Sequence, residues 1–220
     1  MPKTKRKSAF SRALTLLIAC VLILAAAFGA GYKLGYDTGV DSASRNKNIL
    51  LVNADNLLPS DYVPEDLVNL YEMRHSFRLA NAEIYMTRTA YESMQEMVYA
   101  AELENVNGFI ITSGYRSYER QQEVYQESEP GYAQKPGASE HQTGLCFDVT
   151  AMNSGEGFEN TEQYAWLRAN AHKYGFIQRY PANKSQITGI EHEPWHYRYV
   201  GLDAAEYIYR NNITLEEYLK

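Results

Sequence analysis

Two short stretches hold most of the residues that could do chemistry. They are Ser139-Glu140-His141-Gln142-Thr143-Gly144-Leu145-Cys146-Phe147-Asp148 and Glu191-His192-Glu193-Pro194-Trp195-His196. A catalytic zinc ion takes three N or O ligands from the protein and keeps a fourth position open for water. His141, Asp148 and His196 supply two imidazoles and one carboxylate. Glu193 lies three residues before His196, close enough to take a proton from a water activated by the metal. The second stretch also spells H-E-x-x-H from His192 to His196, a pattern that on a helix would pair those two histidines as ligands. Pro194 stands between them, and a proline inside a helix costs ~3 kcal/mol. Both patterns give Glu193 and His196 the same roles. They differ over whether His192, or the pair His141 and Asp148, completes the site.

The elements around these stretches decide whether they can meet. Gly144 to Thr150 alternates, with Leu145, Phe147 and Val149 on one side and Cys146 and Asp148 on the other, which reads as a strand with a polar face. His141 precedes that strand at a glycine-containing turn and can bend back toward the same face. Trp195 to Val200 reads as a neighbouring strand. Phe109 to Thr112 is short, apolar and β-branched, so it reads as a buried strand, and Ser113 to Arg116 follows as a loop. Thr89 with Glu92 predicts a capped helix running to about Asn105, and Ser117 caps a second that runs to about Ser128. Glu129 to Ser139 is a long loop. Asn160 with Gln163 starts a helix stopped by Gly175, and Asp203/Glu206 and Thr214/Glu217 cap two short ones. No regular βα repeat is present. The expected class is α+β, with a small, mostly antiparallel sheet flanked by helices.

Ser139-x-His141-x-x-Gly144-x-x-x-Asp148 followed by Glu193-Pro194-Trp195-His196 resembles the signature of the VanY-type D-alanyl-D-alanine carboxypeptidases. These are zinc peptidases of the group that includes lysostaphin-like and sonic-hedgehog-like folds. The resemblance extends to Ser113-Gly114-Tyr115-Arg116-Ser117-Tyr118-x-x-Gln121 and to Lys173-Tyr174-Gly175-Phe176-Ile177-x-Arg179-Tyr180-Pro181, and so covers most of the chain from about Leu50. It implies zinc on His141, Asp148 and His196, with Glu193 as base and then acid. It further implies that Arg116 binds substrate or steadies the oxyanion, and that Ser139 and Gln121 hold a peptide C-terminus. Trp195, between two site residues, is expected in the pocket. The implied activity removes the terminal D-alanine of bacterial peptidoglycan stem peptides. L,D-carboxypeptidase action on tetrapeptide stems and a non-catalytic wall-binding module are the alternatives. Position 146 is usually a small residue such as alanine in this family, and cysteine stands there in this chain. It is either a small buried thiol behind the site or a further ligand.

The rest of the chain is consistent with an exported enzyme. Residues 1–12 carry five of the 21 bases and no acid, so residues 13–220 hold 16 bases against 27 acids. An acidic body argues against nucleic acid as a partner, because phosphate binding needs clustered Lys and Arg. Ala13 to Tyr32 is uncharged and long enough to span a bilayer as a helix. The basic cluster before it keeps the N-terminus in the cytoplasm and faces the body outward. A cleaved signal ending near Ala27-Phe28-Gly29 and a lipoprotein site at Leu17-Ile18-Ala19-Cys20 are the alternatives, and each also exports the body. The expected organisation is therefore a basic segment 1–12, a transmembrane anchor 13–32, a linker 33–48 and a zinc carboxypeptidase domain 49–220. With Cys20 in the apolar run, the body has one cysteine and cannot form an internal disulfide.

Overall fold

Short apolar runs separated by turn residues give seven strands among the described residues. They are β1 (Leu67–Asn69), β2 (Arg78–Leu79), β3 (Tyr85–Thr87), β4 (Phe109–Ser113), β5 (Cys146–Ala151), β6 (Phe176–Gln178) and β7 (His196–Tyr199). The helices are α1 (Arg88–Leu103), α2 (Tyr118–Glu127), α3 (Glu162–Asn170), α4 (Ser185–Thr188), α5 (Leu202–Asn211) and α6 (Leu215–Leu219), with 3₁₀ turns between them. The computed structural model describes residues 49–129, 133–155 and 157–220, within a compact unit bounded by Asn46 and Lys220. The segments 1–12, 13–32 and 33–48 lie outside the described residues. Among the described residues, no helix is long and apolar enough to cross a membrane.

The main sheet has the order β2-β4-β5-β7-β6, and a separate antiparallel pair joins β1 to β3. Only β2 with β4 is parallel; the β4–β5, β5–β7 and β7–β6 pairs are antiparallel. The α+β class and the mostly antiparallel sheet are therefore as the sequence implies. β5 occupies the centre, and its register sets Asp148 opposite His196 on one side and opposite Ser113 on the other. One face of β5 sends Phe147, Val149 and Ala151 into the main core, where they meet Phe109, Ile111 and Tyr197. The buried stripe of α1 (Ala90, Tyr91, Met94, Met97, Val98 and Ala101) closes that core. Its helical spacing makes a single apolar face, and each buried Met adds about 1.5–3 kcal/mol of hydrophobic stabilisation. A second cluster, built on Ile177, Val200, Ala205, Ile208 and Leu215, fixes α5 and α6 against the far edge of the sheet.

Helix starts depart from the sequence reading where tertiary partners replace caps. α1 begins at Arg88, with Thr87 as N-cap and no side-chain cap bond. The amide of Thr87 bonds the Gly144 carbonyl at 2.9 Å and that of Arg88 bonds the Asp66 carbonyl at 3.0 Å. These contacts satisfy donors near the helix start that Thr89 and Glu92 were expected to serve. α3 is capped by Thr161 rather than Asn160, and Gln163 turns inward to the Asn107 carbonyl. α5 starts after Gly201 without a side-chain cap; Glu206 pairs with Arg210 and His172 instead. Ser117 caps α2, and Thr214 with Glu217 forms a complete capping box on α6.

Two glycines shape the approach to the sheet's polar face. Gly144 takes φ +65°, the left-handed turn that ends the 3₁₀ segment Glu140–Thr143 and starts β5. At Gly114, a Cβ would sit 2.3 Å from the backbone oxygen of Tyr85. Gly114→Ala therefore pushes the loop after β4 away from β3. We expect a loss of ~1–3 kcal/mol in stability, measurable by urea unfolding.

Candidate metal centre and active site

The polar face of β5 is where the candidate residues collect. The 3₁₀ turn carries His141, the middle of β5 carries Asp148, and the first residue of β7 is His196. The two imidazole rings lie with centroids 5.0 Å apart, nearly perpendicular. His141 Nε2 is 3.3 Å from Asp148 Oδ2, and His196 Nδ1 is 2.9 Å from Asp148 Oδ1.

The far side of each ring decides what these short distances mean. His141 Nδ1 lies 2.6 Å from the carbonyl of Gly114. A carbonyl only accepts, so Nδ1 carries the hydrogen and Nε2 turns a lone pair toward Asp148. His196 Nε2 lies 3.4 Å from Glu140 Oε2. An ionised carboxylate also only accepts, so Nδ1 of His196 offers its lone pair too. Two imidazole lone pairs and a carboxylate thus converge, an arrangement that repels itself unless positive charge sits among them. The electrostatics of the cluster likewise favour added positive charge, whether from protons or from a cation. Burial alone would lower both imidazoles, yet the ionised sulfur of Cys146 and the carboxylate of Asp148 push His141 up to about 10 and His196 well above its usual value. Asp148 is held far below the usual carboxylate range by the two rings, against the effect of burial. This donor set fits a divalent cation of the zinc type.

Cys146 is nearer this centre than a thiol merely packed behind it. The sulfur and one nitrogen of each of His141 and His196 all lie within 4.8 Å of one another. The residue is fully buried.

A cavity of about 600 Å³ opens over the cluster. Glu193 stands on its wall with a side chain 27% exposed, its Oε2 3.9 Å from His196 Nδ1. Loss of hydration raises its carboxyl above the ordinary value. Arg116, Gln121, Ser139 and Trp195 line the same space. Arg116 donates to Gln121 Oε1 at 2.8 Å and to Ser113 Oγ at 3.3 Å. Gln121 is buried and gives its amide hydrogen to the Gln134 carbonyl. It therefore acts as a bracket for Arg116, and the second hydrogen of its amide is not used by that bond. Trp195 is 38% exposed, a wall residue and not part of the core.

The H-E-x-x-H reading fails on geometry. Residues 191–193 have no regular secondary structure and 194–195 form a turn, with no helix. His192 instead accepts from Gln178 Nε2 at 3.0 Å and lies 3.3 Å from Tyr164 Oη. His172 stacks on Tyr209 and pairs with Glu206, and His75 stacks on Phe77, both away from the cavity.

Three residues were not singled out as site components by sequence. Glu140, Arg179 and Arg198 are all completely buried. Arg179 and Arg198 both pair with Glu140 at 2.8 Å. The alternation of β7 carried a signal for one of them: Arg198 is two residues from His196 and so shares its face.

Comparison with known proteins follows the same lines. A family model described as VanY, D-alanyl-D-alanine carboxypeptidase, matches residues 83–202. The putative carboxypeptidase YodJ of Bacillus subtilis is 40% identical over 195 residues, covering 83% of this chain and 71% of that protein. A solved structure of the LD-carboxypeptidase LdcB is 41% identical with a TM-score of 0.69, covering 78% of this chain and 86% of that one. A mutant of the vancomycin-resistance D,D-pentapeptidase VanY, solved with Zn(II), is 34% identical with a TM-score of 0.65, covering 80% of this chain and all of that one.

Proposed function

The chain belongs to the VanY family of D-alanyl-D-alanine carboxypeptidases, and from that premise we propose that it is a zinc enzyme removing the terminal D-alanine of peptidoglycan stem peptides. The observation that carries this reading is the convergence of His141 Nε2, Asp148 and His196 Nδ1 beside the Glu193 carboxylate, at the floor of an open cavity. When bound there, zinc supplies Lewis acidity that polarises a carbonyl and acidifies water.

The chain's own side chains do the rest. Glu193, whose carboxyl is raised by desolvation, takes the proton of the attacking water and returns it to the leaving amine. Arg116, braced by Gln121 and Ser113, presents a fixed cation to the substrate carboxylate or the developing oxyanion. Ser139 and Trp195 shape the wall against which the peptide end lies. Asp148, and not Cys146, is the third ligand in this reading, because the metal-facing nitrogens of both rings turn to its carboxylate, and a fourth protein donor would close the position that water needs. His141→Ala, Asp148→Ala and His196→Ala are each expected to lose stoichiometric zinc by elemental analysis. Cys146→Ala is expected to keep one zinc per chain.

A second reading, L,D-carboxypeptidase action on tetrapeptide stems, is supported by the 41% identity to the LD-carboxypeptidase LdcB. Incubation with penta- and tetrapeptide stems followed by mass spectrometry separates the two. Loss of D-alanine from the pentapeptide supports D,D action, loss from the tetrapeptide alone replaces it, and loss from neither sinks the enzyme. Residues 13–32 anchor the unit outside the cytoplasmic membrane in this reading, through their charge-free apolar run after a basic cluster. Protease treatment of intact cells should then degrade the domain.

A further inference from the structure

The scheme above leaves a buried acid beside His196 without a task. Glu140 is 1% exposed, and its two oxygens face different partners. Oε1 accepts from Arg179 Nε and from Arg198 Nη1, both at 2.8 Å. Oε2 faces His196 Nε2 at 3.4 Å. Two guanidiniums donating to one oxygen require an acceptor there and pair with a carboxylate. Oε2 can then only accept, and His196 Nε2 must carry a hydrogen. A neutral imidazole carries its hydrogen on one nitrogen or the other, and only one tautomer leaves Nδ1 free to face Asp148.

We propose that Glu140 is the positioning residue of the metal centre: by accepting from His196 Nε2, it selects the tautomer and ring orientation that offer Nδ1 to the cation. The proposal rests on the zinc reading above and adds to it the group that makes His196 a competent ligand. Partners on the far nitrogen of a ligating histidine fix its orientation and raise its basicity. Glu140 is itself held from two remote parts of the chain. Arg179 donates Nη1 and Nη2 to Glu216 of α6 at 2.9 and 2.5 Å, and Arg198 donates Nη2 to the Leu50 carbonyl at 2.8 Å.

A merely structural acid would behave like Glu216, which belongs to the same buried network but does not touch His196. Glu140→Gln and Glu216→Gln each remove one charge from that network at constant shape. At position 140, the glutamine must turn its oxygen to the guanidiniums, because an amide NH₂ is repelled by two cations. Its NH₂ then faces His196 Nε2 and can only donate, which selects the tautomer with hydrogen on Nδ1. Zinc affinity is measured by competition with a fluorescent indicator, on samples with matched near-UV circular dichroism. We expect Glu140→Gln to bind zinc ~10–100-fold more weakly, and Glu216→Gln, although less stable to heat, to stay within ~3-fold of wild type. Equal weakening in both variants, or unchanged affinity in Glu140→Gln, overturns the proposal. Failure of the wild type to bind zinc overturns instead the metal centre on which it rests. Should Glu140→Gln not fold, long-range ¹H–¹⁵N spectra of the zinc-loaded wild type decide. Hydrogen on His196 Nε2 with metal on Nδ1 is expected, and the reverse arrangement overturns the assignment.

Discussion

Glu193→Gln is expected to retain stoichiometric zinc and to lose ~10²–10⁴ in kcat, equivalent to about 3–5 kcal/mol of transition-state stabilisation. The substitution preserves shape and hydrogen-bonding reach but removes the ability to accept a proton. Glu193 is well placed for that exchange: partly exposed to the cavity, close to His196 Nδ1 and raised by desolvation. It is not required as a ligand, so metal content and activity should separate in this variant and fall together in the three ligand variants. Wild-type turnover by Glu193→Gln would remove it from the mechanism, and loss of zinc would move it into the ligand set.

The second large effect concerns stability. Arg179→Met should destabilise the fold by ~3–5 kcal/mol at neutral pH, because it leaves buried carboxylates partly uncompensated. Arg179 is one of two cations on Glu140 and bonds Glu216 through both terminal nitrogens. The pH dependence follows from the direction of the Glu140 shift. Its folded-state carboxyl lies well below the unfolded value, because Arg198 and Arg179 outweigh burial. The stabilisation that Glu140 contributes is thus fully present above the unfolded carboxylate pKa, and is lost as pH falls through the folded one. Removing Arg179 raises the folded value, so the variant's deficit should be largest near neutrality and shrink as acid protonates the orphaned carboxyl. Urea unfolding at neutral and mildly acidic pH measures this. A deficit that grows with acid would contradict it.

Much of the chemistry is legible in the sequence because the relevant residue types are few and their spacing is tied to strand geometry. Cys146 and Asp148 must share a face of β5, and a proline at 194 excludes the helical histidine pair. The charged triad behind the site is a different matter. Arg and Glu are almost never fully buried unless paired, and the pairing of Glu140 with Arg179 and Arg198 depends on how β6, β7 and the turn before β5 come together. None of that is local in the chain. Helix starts show the same limit, since Thr87 and Arg88 find their partners at Gly144 and Asp66. β1, β2, β3 and β6 have two or three residues each, too few for a period-two pattern to show.

The three converging donors come from a turn, a central strand and the strand beside it, with 54 residues between His141 and His196. No excised segment of the polypeptide presents the set. By mass action, an ion that binds only the assembled sheet draws the population toward it, by about 4 kcal/mol when its free concentration exceeds Kd a thousandfold. On the zinc reading proposed above, ambient metal supply becomes a determinant of how long the domain survives. A starved cell would lose the protein itself, through unfolding and proteolysis, along with its turnover.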